Sequence, residues 1–298
     1  MEYAAILEEW LNHHTVEIEE STAYNYEKAL PYIEEALGNY DIAKISERTI
    51  HDYVKSLLNS KLTYSSTRLY CKVVKLSLRY ALRRGYINYN PADDVKMPRK
   101  IQTEIQIYTC HEISLLLSVN GPDWVKNGIV IAFRTGMRPS EIYALKWTDI
   151  NLERKFISVQ RAISRSGSKT KLTKTPAGRR RIDIDTILTK HLCDMKDNSD
   201  PDKKYVFPSP PHGRRNYRIP WNLAKKLHEM CDRANVDYKN FYSLRHSHAT
   251  LLLEMNVHPK IVQERLGHSD IKITLETYSH VTPTIQQKAV EAMETVII

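Results

Sequence analysis

Through its first hundred residues the chain places apolar side chains three and four positions apart, the spacing of helices with one buried face. Ile6, Trp10 and Leu11 mark a first stripe, and Tyr26, Leu30 and Ile33 mark a second that starts after Ser21 or Thr22 as its cap. Gly38 ends this second helix, Asp41 to Ile45 is a short connector, and a third helix is expected from about Ser46 to Leu58. A fourth follows Tyr64-Ser65-Ser66-Thr67, with Tyr70, Val73, Val74 and Ala81 on its apolar side.

The polar side of that fourth helix carries Arg68, Lys72, Lys75, Arg79 and Arg83, which fall in one narrow stripe at about 100° per residue. No acidic residue interrupts Lys61 to Asn90. A stripe of one sign serves either as a solvated face or as a contact for phosphates, and solvated faces normally mix signs. Pro91 and Pro98 then stop helices in a polar, charged stretch from Asn90 to Lys100, which reads as a linker.

Helical spacing resumes at about Cys110 to Leu117 and Pro122 to Arg134. Gly136 suits a left-handed helix end and Pro139 suits the first position of a new helix, so Arg138 is expected at a helix N-terminus. From Lys155 to Asp185 the period changes to alternation: Phe156 to Val159 reads as a strand. Leu172-Thr173-Lys174 and Arg180-Ile182-Ile184 are expected to flank a turn at Pro176-Ala177-Gly178 in a small antiparallel sheet. Helices return at about Thr186 to Met195 and Trp221 to Ala234, joined by a proline-rich connection from Tyr205 to Arg214. Arg245 follows Ser243 as a candidate cap, and a helix from Pro259 to Leu266 ends at Gly267, just before His268. Ser269 or Asp270 caps a helix bearing Ile271, Thr274, Leu275 and Tyr278. Ile285, Ala289, Ala292 or Met293, and Val296 outline a terminal amphipathic helix.

The 298 residues, 42% of them hydrophobic, suffice for two ordinary cores. The expected division is a helical module over residues 1–97, a linker over 98–105 and a second domain over 106–298. A net charge of +9 favours a polyanionic partner without choosing nucleic acid over a membrane surface. Cys71, Cys110, Cys193 and Cys231 are far apart and form no CxxC pair, so reduced thiols are expected. His13, His14, His246 and His248 match no zinc spacing, and no apolar run is long enough to span a bilayer. A cytoplasmic protein without membrane contact, metal or cofactor is the expectation.

Taken singly, Arg138, Arg245, His268 and Tyr278 are as well explained by solvation, capping or packing. Their order changes the picture. Thr135-Gly136-Met137-Arg138-Pro139-Ser140-Glu141, then LRHSHAT around Arg245, RLGHSD around His268 and TLETYSHV around Tyr278 closely resemble the motif set of the tyrosine recombinases, the phage integrase family, including integrases of mobile elements. The resemblance implies a mainly helical, two-domain C-shaped clamp: a helical core-binding domain, then an α+β catalytic domain with a small antiparallel sheet.

It also implies roles. Tyr278 would attack the scissile phosphorus, and Arg138 and Arg245 would hold the non-bridging oxygens. His268 would bond to one of those oxygens or assist the tyrosine proton. Lys174 would match a hairpin lysine that acts as general acid, with Lys171 close enough to compete for the assignment. Glu141 admits two roles, a capping acid or an orienting partner of the arginines. Tyr242 stands where the family usually has histidine, and Ser243 where an acid is common, so proton handling is expected to differ.

The implied partners are double-stranded recombination sites and further copies of the chain, four protomers on two duplexes with the C-terminal helix exchanged between neighbours. The implied activity is site-specific recombination through a 3′-phosphotyrosyl intermediate, in integration or excision of a mobile element. Dimer resolution, a type IB topoisomerase and a catalytically retired DNA-binding regulator are the alternatives. Many integrases of mobile elements carry a small arm-binding domain ahead of the core-binding one; none is visible in this sequence, so the chain is expected either to work without arm sites or to be a fragment.

Overall fold

The computed structural model describes residues 1–96, 105–164, 170–172, 176–210, 217–218, 220, 222–277, 290 and 294. The chain forms two compact units, Met1–Thr103 and Glu104–Ile298.

In the first unit four helices, α1 (Tyr3–His14), α2 (Glu20–Leu37), α3 (Glu47–Asn59) and α4 (Tyr64–Arg83), bury their apolar stripes together. Ile6, Ile33, Val73 and Leu78 are fully enclosed. Local rules set most of the ends. Ser46 and Thr49 exchange capping bonds at the start of α3, 3.2 and 3.3 Å long, and the Thr63 hydroxyl accepts from Ser66 N at 3.2 Å ahead of α4. Helix α2 begins at Glu20, ahead of the expected Ser21 or Thr22 cap.

The stretch expected to start the linker belongs to this unit. Ala92 and Val95 are buried in the four-helix core, and the Asn90 side chain donates to Lys75 O at 3.3 Å and accepts from Ala92 N at 2.9 Å. Two apolar residues among prolines and acids were enough to pin the segment down. Sequence composition had suggested a solvated tether.

The second unit is mainly helical with small antiparallel sheets. Helix α5 (Cys110–Ser118) opens with a capping box in which Thr109 N donates to Glu112 at 2.7 Å and Glu112 N donates to Thr109 at 3.1 Å. After it come α6 (Asp123–Thr135) and a single turn, α7 (Pro139–Ile142). Among the described residues five short strands follow: β1 (Ile150–Asn151), β2 (Phe156–Val159), β3 (Arg161–Ile163), β4 (Thr170–Leu172) and β5 (Arg180–Asp183).

The pairing differs from expectation. Leu172 and Arg180 do not sit in one hairpin, because β4 pairs with β3, Ala162 opposite Lys171, while β5 pairs with β2, Ile157 opposite Ile182. The nearly continuous chain from Phe156 to Ile163 offers its two halves to two different partners, a non-local choice that alternation cannot reveal.

The helices that follow are α8 (Thr186–Asp197), α9 (Leu223–Ala234), α10 (Ser243–Glu254), α11 (Pro259–Leu266) and α12 (Ile271–Thr277). Helices α6 and α10 pack against each other, and α11 sits on both α10 and β5. The N-cap position of α10 is Tyr242, which makes no side-chain capping bond; Ser243 is already the first helical residue, and its N donates to the Asn240 side chain at 3.1 Å. Asp270 caps α12 through Lys272 N at 2.9 Å. The terminal helix read from Ile285 to Val296 lies outside the described residues apart from Val290 and Glu294, both helical and exposed.

Candidate active site

The motif around Arg138 folds into a tight corner. At the end of α6 the Thr135 hydroxyl donates to Ile131 O and accepts from Met137 N at 3.2 Å, and Gly136 takes a left-handed φ of 69°. A Cβ on Gly136 would also stand 2.6 Å from Leu266 Cδ2 and 2.7 Å from His248 Cδ2, so the position excludes a side chain twice over. Arg138 is extended, and Pro139 starts α7 behind it. Because α7 is one turn long, it contributes little macrodipole, and any anion affinity here must come from the guanidinium.

Glu141 fills both of its candidate roles. One carboxylate oxygen accepts from Arg138 N at 2.9 Å, as a capping acid, and the other accepts from Arg138 Nη1 at 2.8 Å, orienting the side chain. Burial alone would raise this carboxyl, but Arg180 and Arg138 outweigh it and hold the group below the usual glutamate range.

Arg180 is the residue that sequence reasoning missed. From β5 it reaches Glu141 with both terminal nitrogens, at 3.2 and 2.9 Å. A signal existed: on a strand whose Ile182 faces the core, Arg180 shares the inward side while Arg181 points out, and an arginine on an apolar strand face needs a buried partner.

Three arginines converge on the last carbonyls of α11. Arg180 Nε donates to Arg265 O at 2.7 Å, Arg245 Nη2 to Leu266 O at 2.8 Å, and Arg138 Nη2 to Gly267 O at 3.3 Å. The end of a helix leaves its final carbonyls unsatisfied and carries partial negative charge, so it favours cations. Gly267, at φ 68°, ends the helix there. Arg245 also donates to Gly136 O at 2.8 Å and is 1% exposed. Burial, together with Arg138 and Arg180, pushes its guanidinium down to about 10 against the opposing pull of Tyr242 and Glu141, so it stays charged at neutral pH.

His268 follows directly. Its backbone N donates to Gln263 O at 3.1 Å, and its Nδ1 is 2.8 Å from the Thr274 hydroxyl on α12. Burial and the neighbouring Arg245, Arg138 and Arg180 depress the imidazole to about 4, which keeps it neutral at pH 7. Tyr242 is 38% exposed at the start of α10, with the Arg245 guanidinium 5.8 Å from its ring centroid and the His246 ring at 5.1 Å.

Arg138, Glu141, Arg245 and His268, read from three separate motifs, thus share one cluster with Tyr242 at its edge. Lys174 and Tyr278 lie outside the described residues; Lys171 sits on β4 opposite Ala162. Positive charge exceeds negative here, and a neutral imidazole stands beside it, a setting suited to a phosphodiester whose charge grows during reaction. Among the described residues no His, Cys, Asp and Glu group could hold a metal ion, and no helix is long and apolar enough to cross a membrane.

In the first unit Arg68, Lys72, Arg79 and Arg83 are exposed along α4 and Lys75 is half-buried. The stripe is not free of acid, as its sequence had implied: Asp93 folds back onto it, 3.2 Å from Lys75 and 3.0 Å from Arg79. Lys72 lies over the Tyr26 ring at 5.9 Å.

The model of the phage integrase family matches residues 110–284, and that of the phage integrase N-terminal SAM-like domain matches residues 3–58. A tyrosine recombinase XerC-like protein of Caldanaerobacter subterraneus subsp. tengcongensis is 30% identical over 287 residues, covering 86% of this chain and 73% of its own. The Tn1549 transposon integrase in complex with transposon right end DNA superposes with a TM-score of 0.79 at 20% identity over 99% of this chain and 100% of that one. A lambda integrase tetramer bound to a Holliday junction gives a TM-score of 0.73 at 16% identity, over 93% of this chain and 77% of that one. At these identities the two structures share the fold.

Proposed function

Because the chain belongs to the phage integrase family, whose tyrosine recombinases are enzymes of site-specific DNA strand exchange, we propose that it cuts and rejoins DNA at a phosphate held by Arg138 and Arg245. The observation that carries this reading is the meeting of Arg138, Arg180 and Arg245 at the end of α11, directly before His268. In this proposal Tyr278 attacks the scissile phosphorus. Charge building on the non-bridging oxygens is met by Arg138 and Arg245, each already held to backbone carbonyls and so needing little reorganisation.

Arg138, whose side chain is 32% exposed, is the guanidinium a backbone phosphate reaches first; Arg245 lies deeper. The neutral His268 accepts or relays the tyrosine proton, and the Tyr242 hydroxyl donates to an oxygen where imidazole is usual. Lys174 protonates the departing 5′ oxygen. The product is a 3′-phosphotyrosyl ester that conserves the energy of the broken bond, so a 5′ hydroxyl of another strand reseals it without ATP.

The basic side of α4 is proposed to follow the DNA backbone. Four protomers on two duplexes, joined by exchange of the C-terminal helix, would pass strands through a Holliday junction in the cytoplasm, during integration or excision of a mobile element. The lambda integrase tetramer on such a junction shares the fold and supports that assembly.

The test uses two duplexes of unequal length, each carrying the site recovered by binding selection from a randomised library. Incubation with the protein in EDTA and without nucleotide should yield recombinant lengths. Duplexes that are bound but never exchanged would overturn the proposal.

A further inference from the structure

We propose that Arg180 is a positioning residue for strand cleavage, fixing the orientation in which Arg138 meets the phosphate; the proposal rests on the recombinase reading above. Arg180 is nearly enclosed, its side chain 6% exposed against 32% for Arg138, and both of its terminal nitrogens are taken up by the Glu141 carboxylate. It is therefore a poor candidate to touch DNA. Enclosing a guanidinium is costly unless its donors find acceptors, and a leucine on this strand face would pack without that cost.

Apart from Gly178 O, which accepts from Nη1 at 3.1 Å, the acceptors it finds belong to the site. Each oxygen of Glu141 receives one bond from each arginine: Oε1 from Arg138 Nη1 and Arg180 Nη1, Oε2 from Arg138 N and Arg180 Nη2. The carboxylate is thus held by two pairs of donors, one from each arginine. Without Arg180, Glu141 keeps its bonds to Arg138 alone, and the pair can swing together about the glutamate side-chain torsions. The Nε of Arg180 meanwhile takes the Arg265 carbonyl at 2.7 Å, in the last turn before His268. One side chain thereby indexes the phosphate-binding cation and the imidazole to each other.

The fold makes room for it. A Cβ on Gly267 would come within 3.1 Å of Arg180 Cδ and Nη1 and 2.7 Å of Ala177 O, so the glycine that ends α11 also leaves space for this arginine beneath the turn. A positioning role of this kind predicts loss of transition-state alignment with binding retained.

The experiment compares wild type, Arg180→Lys and Arg180→Gln on the selected duplex, nicked beside the cleavage point so that the covalent adduct accumulates. Two versions are used, an ordinary scissile phosphodiester and a neutral methylphosphonate. DNA affinity should stay within about threefold, and adduct formation on the phosphodiester should fall by about 10²-fold in Arg180→Gln and less in Arg180→Lys. On the methylphosphonate, which needs less charge stabilisation, the loss should shrink to below about tenfold. Equal losses on both substrates, or a wild-type rate in both variants, would overturn the assignment. If Arg180→Gln does not fold, Arg180→Lys, which keeps the charge but cannot fork the carboxylate, decides alone. A wild-type protein that forms no adduct on either substrate overturns the recombinase reading itself, a result distinct from adducts insensitive to position 180.

Discussion

Arg245 donates to the carbonyl of Leu266 at 2.8 Å, tying α10 to the final turn of α11 immediately before His268. Its other terminal nitrogen holds Gly136 O, so a single enclosed guanidinium braces two of the motifs that form the site. Arg245→Lys should lose cleavage by at least about 10²-fold, because one ammonium cannot span both carbonyls and face a phosphate as well. It should also unfold more easily, since a buried carbonyl deprived of its donor costs about 1–3 kcal/mol. Denaturant titration and single-turnover cleavage measure the two effects. Full activity with unchanged stability would refute the bracing role.

Gly136→Ala should be destabilising for two reasons. The left-handed φ of 69° costs a side chain roughly 1–2 kcal/mol, and the added carbon would overlap His248 and Leu266 in a packed site, for about 1–3 kcal/mol more. Because Gly136 O anchors Arg245, cleavage should fall with stability. A melting temperature within a degree or so of wild type would contradict this.

Acid should destabilise the protein before its carboxylates titrate. His248 is held at about 3 by burial and by Arg265, its Nδ1 bonded to Phe133 O at 2.6 Å and its Nε2 accepting from Arg265 at 3.0 Å; His268 is held at about 4. In the unfolded chain both titrate near about 6.5, so as pH falls below that value the unfolded state takes up protons that the folded state refuses. Stability should therefore be level above about pH 7 and decline toward pH 4, His248 alone contributing a slope of up to about 1.4 kcal/mol per pH unit. Glu141, depressed in the folded state, adds its loss only at still lower pH. Unfolding free energies at a series of pH values test this, and a flat profile from pH 7 to 4.5 would contradict it. His248→Asn should flatten part of the slope.

Much of the site was legible because it is written in local backbone rules. Gly136 and Gly267 end helices in left-handed conformations, Pro139 starts one, and α11 runs from Pro259 to Leu266, the bounds its capping pattern gave. What sequence could not show is pairing across distance. Arg180 meets Glu141 because β5 joins β2 and α11 packs on β5, whereas the expected hairpin had given the strand another partner, the segment at Leu172. Asp93 escaped notice for the same reason, since it reaches α4 from a segment whose prolines suggested a tether.

That acid gives a prediction of its own. Lys72→Ala should lower the salt slope of DNA binding by about one, the share of a single phosphate contact. Asp93→Asn should act in the opposite sense, freeing Lys75 and Arg79, and should tighten binding by about two- to fivefold at low salt. Affinities measured across a salt series decide. A slope unmoved by Lys72→Ala returns α4 to solvent.

Covalent trapping on a nicked duplex bearing the selected site addresses the reaction most directly. Wild type should accumulate as a DNA adduct whose modified peptide contains Tyr278, and Tyr278→Phe should form no adduct while binding the same duplex with unchanged affinity. An adduct that persists in Tyr278→Phe, or one that maps to another residue, would contradict the account.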